Sequence, residues 1–166
     1  GIDLTSLDYI TGNCEHPVIN DSSKLEDQER EKIYLSTDEE AVDIVKKAGF
    51  TSVNLANNHM YDYDEEGLLY TLETFRQKDM PFVGAGENRS EAYRIHYEEI
   101  QGIRIATLGF SEIYTRSALT GIDTPGIATS NIKIMLNKID EARKFSDVVI
   151  THIHWGTEYK TKPDKR

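Results

Sequence analysis

A chain of 166 residues is long enough to bury one core and short for two, and 38% hydrophobic with 29% charged residues is a globular composition. A net charge of −10, with basic residues gathered only between Lys160 and Arg166, argues against nucleic-acid binding and demands a cation to offset any polyanionic substrate. Cys14 is the sole cysteine, which excludes an internal disulfide or thiolate zinc cluster, and no apolar run approaches the roughly 20 residues that span a bilayer.

Residues 7–11 read as a short strand running into Gly12-Asn13-Cys14-Glu15-His16-Pro17. Residues 20–35 are polar, without apolar periodicity, and predict an exposed loop. Thr37 and Glu40 form a capping-box pattern and Gly49 a stop, so a helix is expected between them. Its buried face is expected to carry Ala41, Ile44, Val45 and Ala48. The β-branched run at 51–55 predicts a strand that delivers Asn57, Asn58 and His59 into a loop.

A second helix is predicted over 64–78, with Leu68, Leu69, Leu72 and Phe75 at amphipathic spacing. Residues 81–83 form a short strand leading to Gly84-Ala85-Gly86. With no helix directly after them, these glycines read as a backbone turn and not a dinucleotide fingerprint. Strands at 94–100 and 103–110 are joined by Gln101-Gly102 as a hairpin, and residues 111–129 form a long loop. Ser130 is a candidate cap for a third helix with Ile132, Met135, Leu136, Ile139, Ala142 and Phe145 inside. A last strand at 147–153 delivers His152, His154 and Trp155. The order β-α-β-α-β-β-β-α-β predicts an α/β fold, a mixed sheet with packed helices.

Three polar clusters follow strands: Asn13 with Glu15, Asn57 with Asn58 and His59, and His152 with His154. Strand ends of this kind lie along one edge of a largely parallel sheet and converge. Imidazole, carboxamide and carboxylate donors without thiolate suit zinc, manganese or iron, which would lower the pKa of a bound water and polarise a phosphoryl or carbonyl oxygen. Each residue also has a plain structural role open to it. The Asn run fits a turn, Glu15 fits an exposed surface, and His152 and His154 fit one polar face of a strand. His16 and His96 lack supporting context and read as structural, and Asp62 and Asp64 read as turn and helix-start residues.

The run Asn54-Leu55-Ala56-Asn57-Asn58-His59-Met60-Tyr61-Asp62-Tyr63, with Gly67-Leu68-Leu69 and Thr71-Leu72, resembles the signature of the bacterial capsule-synthesis CapA family, also called the poly-gamma-glutamate biosynthesis family. Gly84-Ala85-Gly86 with Glu91-Ala92, Gly102-Ile103-Arg104-Ile105-Ala106, and His154-Trp155-Gly156-Thr157-Glu158-Tyr159 are similar to further blocks of it. Asn13-Cys14-Glu15 resembles its usual Asn-Leu-Glu. The resemblance implies a calcineurin-like, four-layer α-β-β-α sandwich of the metallophosphoesterase type with a dinuclear centre of divalent Mn, Zn or Fe. It implies Glu15, Asn58 and His154 as metal ligands, with Asn13 as an alternative approach from the first cluster, and His59 as the acid–base residue. Asn13, Asn57, His152, Trp155 and Glu158 are then expected around these ligands. Relatives of this kind normally open with a strand ending in Gly-Asp and continue to a Gly-His-His-Pro-His segment and a Ser-Leu-Gly-Asn strand. Neither occurs here, so residues 1–166 are expected to be one such domain, incomplete at both ends, with an incomplete metal site.

The expected function is capsule or poly-gamma-glutamate biosynthesis through a metal-dependent phosphoesterase-like hydrolase site acting on a small phosphoester or anionic polymer. The rival reading is a non-catalytic scaffold or polymer-binding subunit alongside a membrane synthase partner, and a third is a sugar or peptide binder stacking on Tyr61, Tyr63 and Trp155. The resemblance implies a place in the cell envelope, on its outer side, through an anchor not contained in this sequence.

Overall fold

The computed structural model describes residues 4–20, 33–157 and 160–162. Most of the loop expected at 20–35 therefore lies outside the described residues, as does Glu158.

Three short strands, β1 (Thr11–Asn13), β2 (Ser52–Asn54) and β3 (Phe82–Val83), form a parallel sheet in that order. Helix α1 (Glu40–Lys47) connects β1 to β2, and α2 (Asp64–Gln77) connects β2 to β3. A ribbon follows in which β4 (Ala85–Gly86) pairs antiparallel with β7 (Gly126–Ile127), and the one-turn helix α3 (Arg89–Ala92) lies between them in sequence. The second three-stranded sheet is mixed. In it β5 (His96–Ile100) pairs antiparallel with β6 (Ile103–Ser111), and β6 pairs parallel with β8 (Val148–His154) across helix α4 (Ile132–Arg143). The single mixed sheet expected from element order is thus divided into separate sheets.

Strand alternation explains the division. Val53 faces a core made with Val42, Leu68, Leu72 and Phe75, while its neighbours Ser52 and Asn54 point the other way. In β6, Ala106, Leu108 and Phe110 join a second core with Ala142, which leaves Thr107 and Gly109 on the opposite face. Those two polar faces meet. The Tyr9 hydroxyl lies 2.9 Å from Ser52 Oγ and 2.5 Å from Thr107 Oγ1, and Thr11 Oγ1 lies 2.9 Å from His152 Nε2. A Cβ at Gly109 would collide with the Asn54 side-chain oxygen, so only glycine permits this approach.

Local chemistry moved several boundaries. The first strand pairs at Thr11–Asn13 and not at 7–11, and Leu7 is exposed. Thr37 does not cap α1: its backbone bridges to the Pro17–Ile19 segment, and Asp38 Oδ1 accepts from Ala41 N instead. Gly49, with φ of 93°, does end that helix. Ile44 is 64% exposed and Val42 takes the buried position. In α4 the cap is Asn131, which accepts from Lys133 N and Ile134 N, and not Ser130. Ile132, Leu136 and Phe145 are exposed there, and Ala142 is the buried contact. A short helix does follow Gly86, contrary to expectation, but its four residues sit against the β4–β7 ribbon. The 111–129 loop contains a 3-10 turn at Arg116–Ala118 as well as β7.

Candidate functional site

The carboxyl ends of β1, β2 and β8 bring Asn13, Glu15, Asn58 and His154 to one place. Past β2, the fully buried Asn54 donates to Asn13 Oδ1 at 2.9 Å and to Ala56 O at 3.1 Å, and its oxygen accepts from Ala56 N. Asn57, also buried, donates to Cys14 O at 2.9 Å and lies 3.4 Å from Asn13 Oδ1. Its oxygen accepts from His59 N and Met60 N. These two amides fix the Asn13 oxygen, so the Asn13 Nδ2 group is left facing outward. It donates to Glu15 Oε1 at 2.8 Å and approaches His154 Nδ1 at 3.4 Å.

His154 Nε2 lies 2.8 Å from Asn58 Oδ1, and His154 Nδ1 lies 3.6 Å from Glu15 Oε1. Glu15, Asn58 and His154, separated by up to 139 positions in the chain, are therefore adjacent in space. They line a cavity of about 260 Å³ together with Ile113, Trp155, Gly156 and Thr157. A larger, open groove of about 510 Å³, lined by residues including Phe75, Met80, Phe82 and Arg94, holds none of the expected site residues.

The donors fit a divalent cation in kind: one imidazole nitrogen, one carboxylate and one carboxamide oxygen. Two ligands at about 2.1 Å from a common ion stand roughly 3.0–3.5 Å apart, close to the His154–Asn58 and His154–Glu15 spacings. Asn58 and Glu15 address different nitrogens of the same ring, however. A cation on Nε2 has Asn58 beside it, and one on Nδ1 has Glu15. Among the described residues no three His, Cys, Asp or Glu side chains form a metal-binding group.

The other expected residues divide. Trp155 is 45% exposed and lines the cavity. His152 is not at the cavity: it bonds Thr11 between the sheets, where burial lowers its pKa. His59 follows Asn58 in the chain but does not line the cavity, and its Nδ1 lies 2.8 Å from Asp62 Oδ2. Burial raises the Cys14 thiol above its ordinary pKa and keeps it protonated at neutral pH. Tyr63 is buried and packs edge-on against Tyr34, so it offers no stacking surface. Sequence reasoning missed Asn54, whose signal was a polar residue in a buried strand, and Asp62, whose signal was its place three residues after His59.

The family model described as bacterial capsule synthesis protein PGA_cap matches residues 3–166. The capsule biosynthesis protein CapA of Bacillus anthracis is 40% identical over 167 residues, covering 98% of this chain and 41% of that protein. The PGA biosynthesis protein CapA of Bacillus subtilis (strain 168) is 38% identical over 160 residues, covering 96% and 42%. The chain thus spans about two fifths of the length of these relatives. The NAD nucleotidase NadN of Haemophilus influenzae aligns with a TM-score of 0.45 at 19% identity, over 72% of this chain and 22% of that one, a likeness too low to carry an argument.

Proposed function

Because the chain belongs to the bacterial capsule synthesis protein PGA_cap family, we propose that it is the site-bearing part of a CapA-type protein of capsule or poly-gamma-glutamate biosynthesis, with a metal-dependent, phosphoesterase-like hydrolase site. The observation that carries this is the meeting of His154 with Asn58 at 2.8 Å and with Glu15 at 3.6 Å at the mouth of one cavity. The order of packed layers, helices outside each of two facing sheets, supports the four-layer sandwich of the metallophosphoesterase type.

In this reading His154 and Asn58 would hold the cation, with Glu15 on the opposite side of the imidazole. A divalent cation, when bound, supplies Lewis acidity toward a phosphoryl oxygen and neutralises charge on an anionic substrate. His59, which adjoins Asn58 in the chain but lies outside the cavity lining, would protonate the leaving group. Ile113 and Trp155 line the cavity beside these residues and would offer apolar surface to the substrate. The substrate in this reading is a small phosphoester or an anionic polymer, and a membrane synthase is the partner of the rival scaffold reading.

Calorimetric titration with Mn²⁺ on the unchanged protein, Asn58→Ala and His154→Ala tests the reading. Saturable binding that weakens about 10-fold or more in both variants is expected, in line with the loss of one of very few ligands. Equal affinity in all three proteins removes the catalytic reading and leaves a non-catalytic scaffold. A phosphatase screen with Mn²⁺ on this chain and on a longer one then tests hydrolysis itself.

A further inference from the structure

We propose that Asn54 is a positioning residue that acts through Asn13, turning the Asn13 amide so that its NH2 group, and not its oxygen, faces Glu15 and His154. This rests on the cation-holding role given to Glu15 and His154 above.

The two ends of a carboxamide have nearly the same shape, but only the oxygen end ligates a cation. The end that Asn13 turns to the site therefore decides whether β1 and the residues after it offer a cation two ligands or one. Asn13 is exposed, so packing does not choose between the ends. Its hydrogen-bond partners do. Asn54 is 1% exposed, and the backbone of a single residue fixes both ends of its amide. Ala56 N donates to Asn54 Oδ1 and Ala56 O accepts from Asn54 Nδ2, each at 3.1 Å. The second proton on Asn54 Nδ2 goes to Asn13 Oδ1 at 2.9 Å. Asn57, fixed by the His59 and Met60 amides and the Cys14 carbonyl, brings its own NH2 to 3.4 Å from the same oxygen. A reversed Asn13 would set a third NH2 against these two and press its oxygen toward the Glu15 carboxylate.

The fold keeps space for Asn54 from two directions. A Cβ at Gly84 would stand 2.7 Å from Asn54 Oδ1, and one at Gly109 would stand 2.0 Å from it. The bonds to Ala56 close a local turn, which a serine hydroxyl also closes in part. The bond to Asn13 needs the full length of the amide. With its oxygen so occupied, Asn13 is a donor and not a ligand: it steadies Glu15 Oε1 at 2.8 Å, and Glu15 alone of the pair is left to take a cation.

The test is the direction of the Asn13 amide, read from nuclear Overhauser contacts of its side-chain NH2 protons, assigned by their loss in Asn13→Asp. In the unchanged, metal-free protein these protons are expected to contact the His154 ring and the Glu15 side chain. In Asn54→Ser, which stops short of Asn13, the His154 contacts are expected to weaken about 3-fold or more, the population shift that one hydrogen bond supports. Contacts running from the Asn13 NH2 to Asn54 in the unchanged protein overturn the proposal. So do His154 contacts undiminished in Asn54→Ser, which would give the orientation to Asn57 and Glu15. Should Asn54→Ser fail to fold, Asn13→Asp decides from the other end. The Asn54 NH2 proton is expected to move downfield there, because a charged acceptor strengthens its bond, and an unmoved resonance overturns the proposal. No cation is needed, so failure here is distinct from failure of the Mn²⁺ titration at Asn58 and His154.

Discussion

The Asn57 side chain lies within hydrogen-bond distance of four groups without touching the cavity, reaching Cys14 O, Asn13, and the backbone amides of His59 and Met60. Its neighbour Asn58 does face the cavity, toward His154. Two identical residues in succession thus divide between building the loop and presenting a donor. Sequence identifies the pair as important, but which of them points inward depends on how the loop leaves β2. Truncating Asn57 strands the buried Met60 amide together with the part-buried His59 amide and Cys14 carbonyl, and a buried group so stranded costs about 1–3 kcal/mol. Asn57→Ala is expected to destabilise the protein by about 2–3 kcal/mol, read as a lower urea midpoint with an unchanged slope. A midpoint within error of the unchanged protein would mean that the loop is held by something other than this amide.

Elements show where apolar periodicity informs and where it does not. Helix α2 was legible because Leu68, Leu72 and Phe75 are all buried in the phase expected. In α1 and α4 the same pattern holds only in part, since Ile44, Ile132 and Leu136 are exposed while the expected Val45, Met135 and Ala142 do pack against the cores. Period gives a stripe, but the approach distance of the sheet selects which side of the stripe fits. Gly109 shows the same limit in a strand, where sequence gives no sign that the first sheet passes against it. A tie between elements yields a pH prediction. Arg76 of α2 bonds Glu91 of α3 at 2.5 Å, and Glu91 also accepts from Glu87 N. Burial alone would raise the Glu91 carboxyl, but these bonds and the charges of Arg76 and Arg94 outweigh it and lower the pKa. The folded state thus binds the proton less readily than the unfolded chain. The contribution to stability is complete above the unfolded carboxylate value of about 4.3 and disappears as pH falls through the lower folded value. Urea midpoints should therefore show Glu91→Gln less stable than the unchanged protein at neutral pH, with the gap closing in acid. A gap undiminished by acid would assign the tie to neutral hydrogen bonds.

Across the whole molecule, the ends of parallel strands converge as element order led one to expect, yet they belong to two sheets. Glu15 and Asn58 come from the first sheet and His154 from the second, so their meeting depends on the polar layer where Tyr9, Thr11, Ser52, Thr107 and His152 join the sheets. Sequence singled out all three residues that the fold brings together. It did not say which nitrogen of His154 each would address, because that follows from the angle between two sheets that no local pattern encodes. On the proposed reading, the same scale governs how a cation would reach the site. A net charge of −10 surrounds it with a negative potential that concentrates divalent cations, and dissolved salt screens that potential within a Debye length of about 10 Å at 0.1 M. Trp155, the only tryptophan, lines the cavity beside Asn58 and Glu15, so quenching of its fluorescence by Mn²⁺ reports occupancy directly. Raising sodium chloride from about 0.02 M to about 0.5 M is expected to weaken Mn²⁺ affinity by roughly 3–10-fold, with quenching at saturation unchanged. His154→Ala should lose the saturable component at both salt concentrations. An affinity indifferent to salt would mean that the near donors alone set binding and that the molecule's charge plays no part in recruiting the ion.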